Sequence, residues 1–171
     1  MKHLWAPWRI EYIRQEPEKG CIFCNRFQRK TDRRDLVLYR GPRVLVMMNR
    51  FPYNSGHLLI SPVEHTGDLT ALPVKTQAAL FAMLQECARV LEETMAPEGF
   101  NLGMNLGRVA GAGVADHLHF HLVPRWNGDT NFMPALAEVK VVPEHLDQTY
   151  LKLKPAFARL GKGPVRRKKT A

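Results

Sequence analysis

Three histidines, His117, His119 and His121, stand at every second position of the stretch DHLHFHLVPRW (116–126), with Leu118, Phe120 and Leu122 between them. An alternation of period two is the pattern of a β-strand, whose side chains point to opposite faces in turn. It puts the three imidazoles on one face, about 7 Å apart at a rise of roughly 3.3 Å per residue, and sends the apolar residues to the core. Imidazole titrates near neutral pH, so such a row can move protons, ligate a metal or attack an electrophile. A lone histidine on an apolar face is usually structural. Three in strict alternation are hard to explain by packing, because a buried polar group without a partner is costly. Directly upstream, NLGRVAGAGVAD (105–116) carries Gly107, Gly111 and Gly113, which let backbone N–H groups approach an anion closely. A glycine-rich loop alone is a weak signal. Feeding straight into the histidines, it joins an anion cradle to candidate nucleophiles.

A second constellation is Cys21-Ile22-Phe23-Cys24. Three cysteines in 171 residues make no disulfide framework, and in a reducing compartment a C-x-x-C pair reads as metal-binding or redox-active. The third, Cys87, falls on the apolar stripe of a helix and reads as core.

These residues need elements to hold them. DLVLYR (35–40) and RVLVMMN (43–49), parted by Gly41-Pro42, predict a β-hairpin. HLLIS (57–61) predicts a third strand after the turn-rich FPYNSG. From Val74 to about Met95, Leu80, Met83, Leu84, Cys87, Val90 and Leu91 recur at spacings of three and four, the mark of an amphipathic helix. Pro73 suits its entry and APEG its end. FNLGMNLG (100–107) predicts a fourth strand, and EVKVV (138–142) with a helix from about Pro143 to Leu160 closes the domain. The fold class expected is α+β: an antiparallel sheet, one long amphipathic helix and a C-terminal helix, a single domain over 1–160.

At 45% hydrophobic the chain can build one substantial core. No apolar run is long enough to cross a bilayer, and MKHLWAPWRIEY lacks the apolar core of a secretory leader. The expectation is a soluble cytoplasmic protein. The net charge is +9. Lys162, Arg166, Arg167, Lys168 and Lys169 supply five of those charges, and without them +4 remains. Residues 161–171 therefore read as a flexible basic tail, with nucleic-acid contact the lesser expectation.

HLHFHLV (117–123) matches the pattern His-φ-His-φ-His-φ-φ, with φ apolar, and NSGHLLISPVEH (54–65) resembles the companion signature of the histidine triad (HIT) superfamily. LWAPWR (4–9), NRFPYNSGHL (49–58) and VPRWNGDTNF (123–132) resemble the branch of diadenosine tetraphosphate phosphorylases and their bacterial relatives. The resemblance spans roughly residues 4–160 and is most specific at 49–65 and 101–132. It implies nucleotidyl transfer, with His119 attacking the α-phosphorus of a nucleotide. His121 would bond a phosphate oxygen, and His57 would stand beside it. Asn105 and the backbone amides of Gly111, Ala112 and Gly113 would hold the remaining oxygens. Asn49 stands where many members carry an aspartate for the ribose hydroxyls. Phe23, Leu45 and Met47 are either walls of a base pocket or packing residues of the sheet.

The same resemblance implies a structural zinc on Cys21, Cys24, His65 and His117, and no catalytic metal. It implies a homodimer, extended to a tetramer if the arm with Trp5 and Trp8 takes part. One departure bears on the reaction. The Gln-Ser or Gln-Thr pair that many triad proteins carry before the histidines is here Ala112-Gly113-Val114. That leaves room for inorganic phosphate as acceptor, seated with help from Arg108 or Arg125. The readings carried forward are a dinucleoside polyphosphate phosphorylase, a hydrolase or phosphoramidase using water on the same intermediate, and a non-catalytic nucleotide or nucleic-acid binding module.

Overall fold

The computed structural model describes residues 18–129 and 144–160. The Trp5 and Trp8 arm, the strand expected at 138–142 and the basic tail lie outside the described residues.

Five antiparallel strands, β1 (Val37–Arg40), β2 (Val44–Met48), β3 (Leu58–Pro62), β4 (Gly99–Met104) and β5 (Phe120–Arg125), form one sheet in the order β1-β2-β3-β5-β4. The α+β architecture is as expected, and the hairpin closes where Gly41 donates its N–H to Val44 O at 2.8 Å. Helix α1 (Ile22–Gln28) and the single turn α2 (Asp32–Asp35) precede the sheet. Neither shows in the sequence pattern, because each is too short to complete a helical period of apolar residues. The long helix α3 runs Val74–Met95, from Pro73 to Ala96, whose left-handed φ of 47° ends it. Helix α4 spans Leu146–Leu160 and continues through Pro155, anchored by buried Tyr150, Leu153 and Phe157.

Strand alternation divides the interior in two. Val44, Val46, Met48, Leu58, Ile60 and Leu122 turn towards α3 and α4 and pack with Leu80, Leu84, Cys87, Val90, Leu91, Leu153 and Phe157. Burial of a side chain of this size contributes about 1.5–3 kcal/mol. The opposite face carries a smaller cluster of Phe23, Val37, Leu45, Met47 and Leu59, which α1 covers. Both faces of β2 and β3 are therefore buried, and their sequences read as near-continuous apolar runs. The histidines emerge on this second face, beside the cluster.

The ladder of β5 begins at Phe120, three residues later than the alternation predicts. Leu118 donates its N–H to Thr66 O at 2.7 Å, so the segment before Phe120 is held by the loop after β3 and leaves the sheet. His117 and His119 lie on this entry segment, and only His121 is a ladder residue, opposite Leu59. Leu118 and Leu122 still point to the core. The row is also interior: β5 runs between β3 and β4, and His117 and His119 are buried.

Candidate functional site

Hydrogen bonds decide the tautomer of each histidine, because a backbone carbonyl can only accept and a backbone N–H can only donate. His119 Nδ1 lies 2.9 Å from His117 O. That nitrogen must carry the proton, and Nε2 is left as a lone pair. Tyr53 donates its N–H to His57 Nδ1 at 3.0 Å. The proton of neutral His57 therefore sits on Nε2, which donates to His121 Nδ1 at 3.0 Å. His121 in turn is left with Nε2–H, a donor buried with no partner among the described residues. The His119 and His121 rings stand 5.0 Å apart. One bare nucleophilic nitrogen and one bare donor are thus presented side by side.

Burial holds both rings in the neutral form. His119 is pushed below the usual imidazole range by desolvation, against the carbonyl bond that raises it. His121 is pushed down to about 4, first by burial and then by the neighbouring His119. A neutral imidazole with a free lone pair is the form that can attack phosphorus, and an unsatisfied N–H invites an anionic oxygen.

Tyr53 was not among the residues expected. It stacks on His57 at 4.8 Å and lies over His121 at 5.9 Å, so it belongs to the site through both its ring and its backbone. Asn49 closes the same turn: its Oδ1 accepts the Phe51 N–H at 3.0 Å, and its Nδ2 lies 3.3 Å from His57 Nδ1. Phe23 packs against both His117 and His119, with ring centroids 5.0 and 4.9 Å away. Met47 and Leu45 lie beside it in the second cluster.

The glycine loop is partly self-satisfied. Gly111 donates its N–H to Arg108 O at 3.0 Å and Ala112 donates to Gly107 O at 3.3 Å, closing a 3-10 turn over Arg108–Ala110. Asn105 braces it by donating Nδ2 to Gly111 O at 3.3 Å. Gly107 and Gly111 have φ of 80° and 87°, which side chains adopt only with strain. Of the three amides expected to cradle an anion, Gly111, Ala112 and Gly113, only that of Gly113 has no backbone acceptor among the described residues. Arg125 is committed elsewhere, its guanidinium gripping Asp129 through Nε at 2.6 Å and Nη2 at 2.7 Å while Nη1 bonds Asn101 Oδ1. Of the two arginines considered for phosphate, the geometry leaves Arg108.

The four expected metal ligands converge. Cys21 Sγ lies 3.2 Å from His117 Nδ1, Cys24 Sγ lies 3.4 Å from His65 Nδ1 and 3.7 Å from His117 Nδ1, and the two Nδ1 atoms are 3.3 Å apart. All four donor atoms lie within 4.8 Å of one another. Bonds of about 2.3 Å to sulfur and 2.05 Å to nitrogen, in a tetrahedron, require S–N separations of about 3.5 Å and N–N of about 3.4 Å. The donor set fits. His117 Nε2 donates to Pro62 O at 2.9 Å, which leaves Nδ1 as the ligating lone pair and fixes the ring as an outer-shell partner does. The four residues form a cluster whose donor atoms fit a single metal ion.

The chain belongs to the HIT domain family, whose model matches residues 30–128. It is 36% identical to a protein of Mycobacterium tuberculosis named AP-4-A phosphorylase, over 93% of this chain and 86% of that one. It is 27% identical to the adenosine 5'-monophosphoramidase hnt1 of Schizosaccharomyces pombe, over 74% of this chain and 90% of that protein. A zinc-bound histidine triad family protein of Mycobacterium smegmatis superposes with a TM-score of 0.65 at 31% identity, covering 84% of this chain and 96% of that one. Among the described residues no helix is long and apolar enough to cross a membrane.

Proposed function

We propose that this protein is a nucleotidyl transferase that cleaves dinucleoside polyphosphates of the diadenosine tetraphosphate type, with inorganic phosphate as acceptor. The observation that carries the reading is the juxtaposition of the His119 and His121 rings, 5.0 Å apart, with a lone pair on His119 Nε2 and a proton on His121 Nε2. The 36% identity to a protein named AP-4-A phosphorylase supports the substrate class.

In the first half-reaction His119 Nε2 attacks the α-phosphorus, a P–N bond forms, and the P–O bond to the leaving nucleoside polyphosphate breaks with its electron pair. His121 Nε2–H stabilises the charge that builds on a phosphate oxygen. His57 holds His121 in the tautomer that can do so. In the second half-reaction a phosphate oxygen attacks the same phosphorus and the P–N bond breaks, returning His119 to its starting state. Diadenosine tetraphosphate plus phosphate thus gives ATP and ADP. The Gly113 end of the loop and Arg108 supply N–H and positive charge for the phosphate oxygens. Asn49 takes the ribose hydroxyls, while Phe23, Leu45 and Met47 form the wall of the base pocket. Asn105 and the amides of Gly111 and Ala112 act one step back, by holding the loop in shape.

Zinc on Cys21, Cys24, His65 and His117 would supply a structural cross-link and no part of the transfer chemistry. These residues tie α1, with Phe23 on it, to the segment that carries His119. The histidine chemistry itself calls for no catalytic metal. The assembly we propose is a homodimer through α3 and the edge strand β4, where Phe81 and Leu102 are 61% and 51% exposed. One domain over 1–160 followed by a basic tail, in the cytoplasm, completes the reading.

The test is product analysis on diadenosine tetraphosphate with and without phosphate. ADP and ATP, formed only when phosphate is present, are expected. AMP and ATP at one rate in both conditions would identify a hydrolase, the reaction class to which the hnt1 relationship points. Tight salt-sensitive RNA or DNA binding without turnover would identify a binding module instead.

A further inference from the structure

His57 Nδ1 accepts the Tyr53 N–H at 3.0 Å, the shorter of its two donor contacts beside Asn49 Nδ2 at 3.3 Å, and something must hold the turn that carries Tyr53. Residues 53–57 are closed on themselves by Asn54, whose carbonyl accepts the His57 N–H at 3.1 Å and whose Oδ1 accepts the Ser55 N–H at 3.1 Å. Asn54 Nδ2 then leaves the turn. It donates to Asp129 Oδ2 at 2.7 Å and to Pro124 O at 3.3 Å. Asn54 is buried, and the Asp129 carboxylate is only 7% exposed.

Asp129 is a hub. Its two oxygens take both guanidinium bonds of Arg125, the Asn54 amide, and the Trp126 N–H at 3.1 Å. Arg125 ends β5, the strand on which His121 sits four residues earlier. The carboxylate therefore joins the turn that orients His57 to the strand that carries His121. Its charge is matched by the bidentate arginine, which makes its burial tolerable. No substrate-facing role is available to it, because its acceptor capacity is taken up inside the protein.

We infer that Asp129 and Asn54 are positioning residues that set the His57–His121 relay, and so keep the His121 proton on Nε2. This rests on the functional reading above for its effect on rate, though not for its effect on the histidines. With Asp129 removed, Asn54 loses its strongest outside bond and Tyr53 N–H is no longer held at His57 Nδ1. His57 Nδ1 then keeps only the longer contact with Asn49 Nδ2, and its second tautomer becomes accessible. With the proton on Nδ1, its Nε2 becomes an acceptor, His121 turns its own proton to Nδ1, and the donor facing the site is lost.

The experiment uses the full-length, metal-loaded protein with ¹⁵N-labelled histidine, without substrate. Long-range ¹H–¹⁵N spectra report the protonated nitrogen of each ring. In the native protein His57 and His121 are expected as pure Nε2–H tautomers and His119 as Nδ1–H. In Asp129→Ala the His57 and His121 signals move to averaged positions, while His119 keeps its tautomer. Asn54→Ala reproduces the pattern, and it carries the test if Asp129→Ala does not fold. A wrong histidine tautomer costs a serine-protease triad about 10⁴ in kcat. Asp129 and Asn54 act at one remove, so the expected loss is smaller, about tenfold to a hundredfold, and it falls on kcat more than on KM. Pure Nε2–H signals for His57 and His121 in a folded variant would overturn the inference, whatever the substrate proves to be. Absence of phosphorolysis in the native protein, with the tautomers shifting as described, would instead overturn only the functional reading.

Discussion

At the scale of single residues, the site is a set of nitrogens whose protons are assigned by their neighbours. On the proposed reading His119 has no substitute as nucleophile, because its Nε2 carries the lone pair and its ring stands 5.0 Å from that of His121. His119→Ala is expected to lower kcat by about 10⁴-fold or more, and to leave no nucleotidylated protein when radiolabelled substrate is quenched in acid-free buffer. Persistence of a labelled covalent species would place the nucleophile elsewhere. The depression of His121 to about 4 also has a consequence for stability. Its unfolded counterpart titrates near 6.5, so between 6.5 and 4 the unfolded chain binds more protons. The neutral ring's contribution is fully present above pH 6.5 and is lost as pH falls towards 4, at about 1.4 kcal/mol for each unit of separation. Loss of metal at low pH acts equally on a His121→Asn variant, so the comparison isolates the ring. Urea midpoints should fall more steeply between pH 6.5 and 4 in the native protein than in that variant. Parallel profiles would show that burial does not depress His121.

At the scale of elements, α1 is the piece that the core does not secure. It has seven residues and Phe23 as its buried side chain, well below the length at which a helix is stable by itself. It is held by Phe23 against the second cluster, by Arg40 of β1 donating to the Arg26 carbonyl, and by the cysteines against His65 and His117. Structural metal sites contribute directly to folding. Cys24→Ser should therefore bind less than one zinc per chain and melt several degrees lower, since a few kcal/mol shift Tm by about 2–4 °C each at this chain length. Because Phe23 touches His119, the same variant should also raise KM. Protein purified without added zinc or chelator that holds no metal on elemental analysis would remove the basis of this prediction.

At the scale of the whole molecule, the sheet ends in β4, an edge strand among the described residues, beside an apolar patch. Phe81 on α3 meets Phe120 edge-on at 6.0 Å, and Leu102 stands exposed on β4. A two-fold partner set against this face would cover the unpaired strand edge that otherwise invites aggregation. Phe81→Glu is expected to weaken the proposed dimer by about 30-fold or more, the effect of losing one interface anchor, without altering the His57–His121 contact on the opposite face of the sheet. Sedimentation equilibrium of both proteins at micromolar concentration gives the answer. A single-chain mass for the unsubstituted protein would rule the dimer out.

Apolar runs bounded by turn residues carried the strands β1 to β4, and helical periodicity carried the long helix α3 and the core place of Cys87, because these signals lie within short stretches of the chain. The four residues of the metal site were named through the family resemblance, and their convergence depends on contacts between positions 41 to 96 apart. Spacing could not reveal α1 and α2, which are too short to show a period, nor the late start of β5, which is decided by one bond from Leu118 to Thr66. Nor could it reveal the roles of Tyr53, Asn54 and Asp129. Those arise where Asn54 meets Asp129, 75 residues away along the chain. A histidine's chemistry is set by which of its two nitrogens holds the proton, and the partners that settle this are brought together only by the tertiary fold.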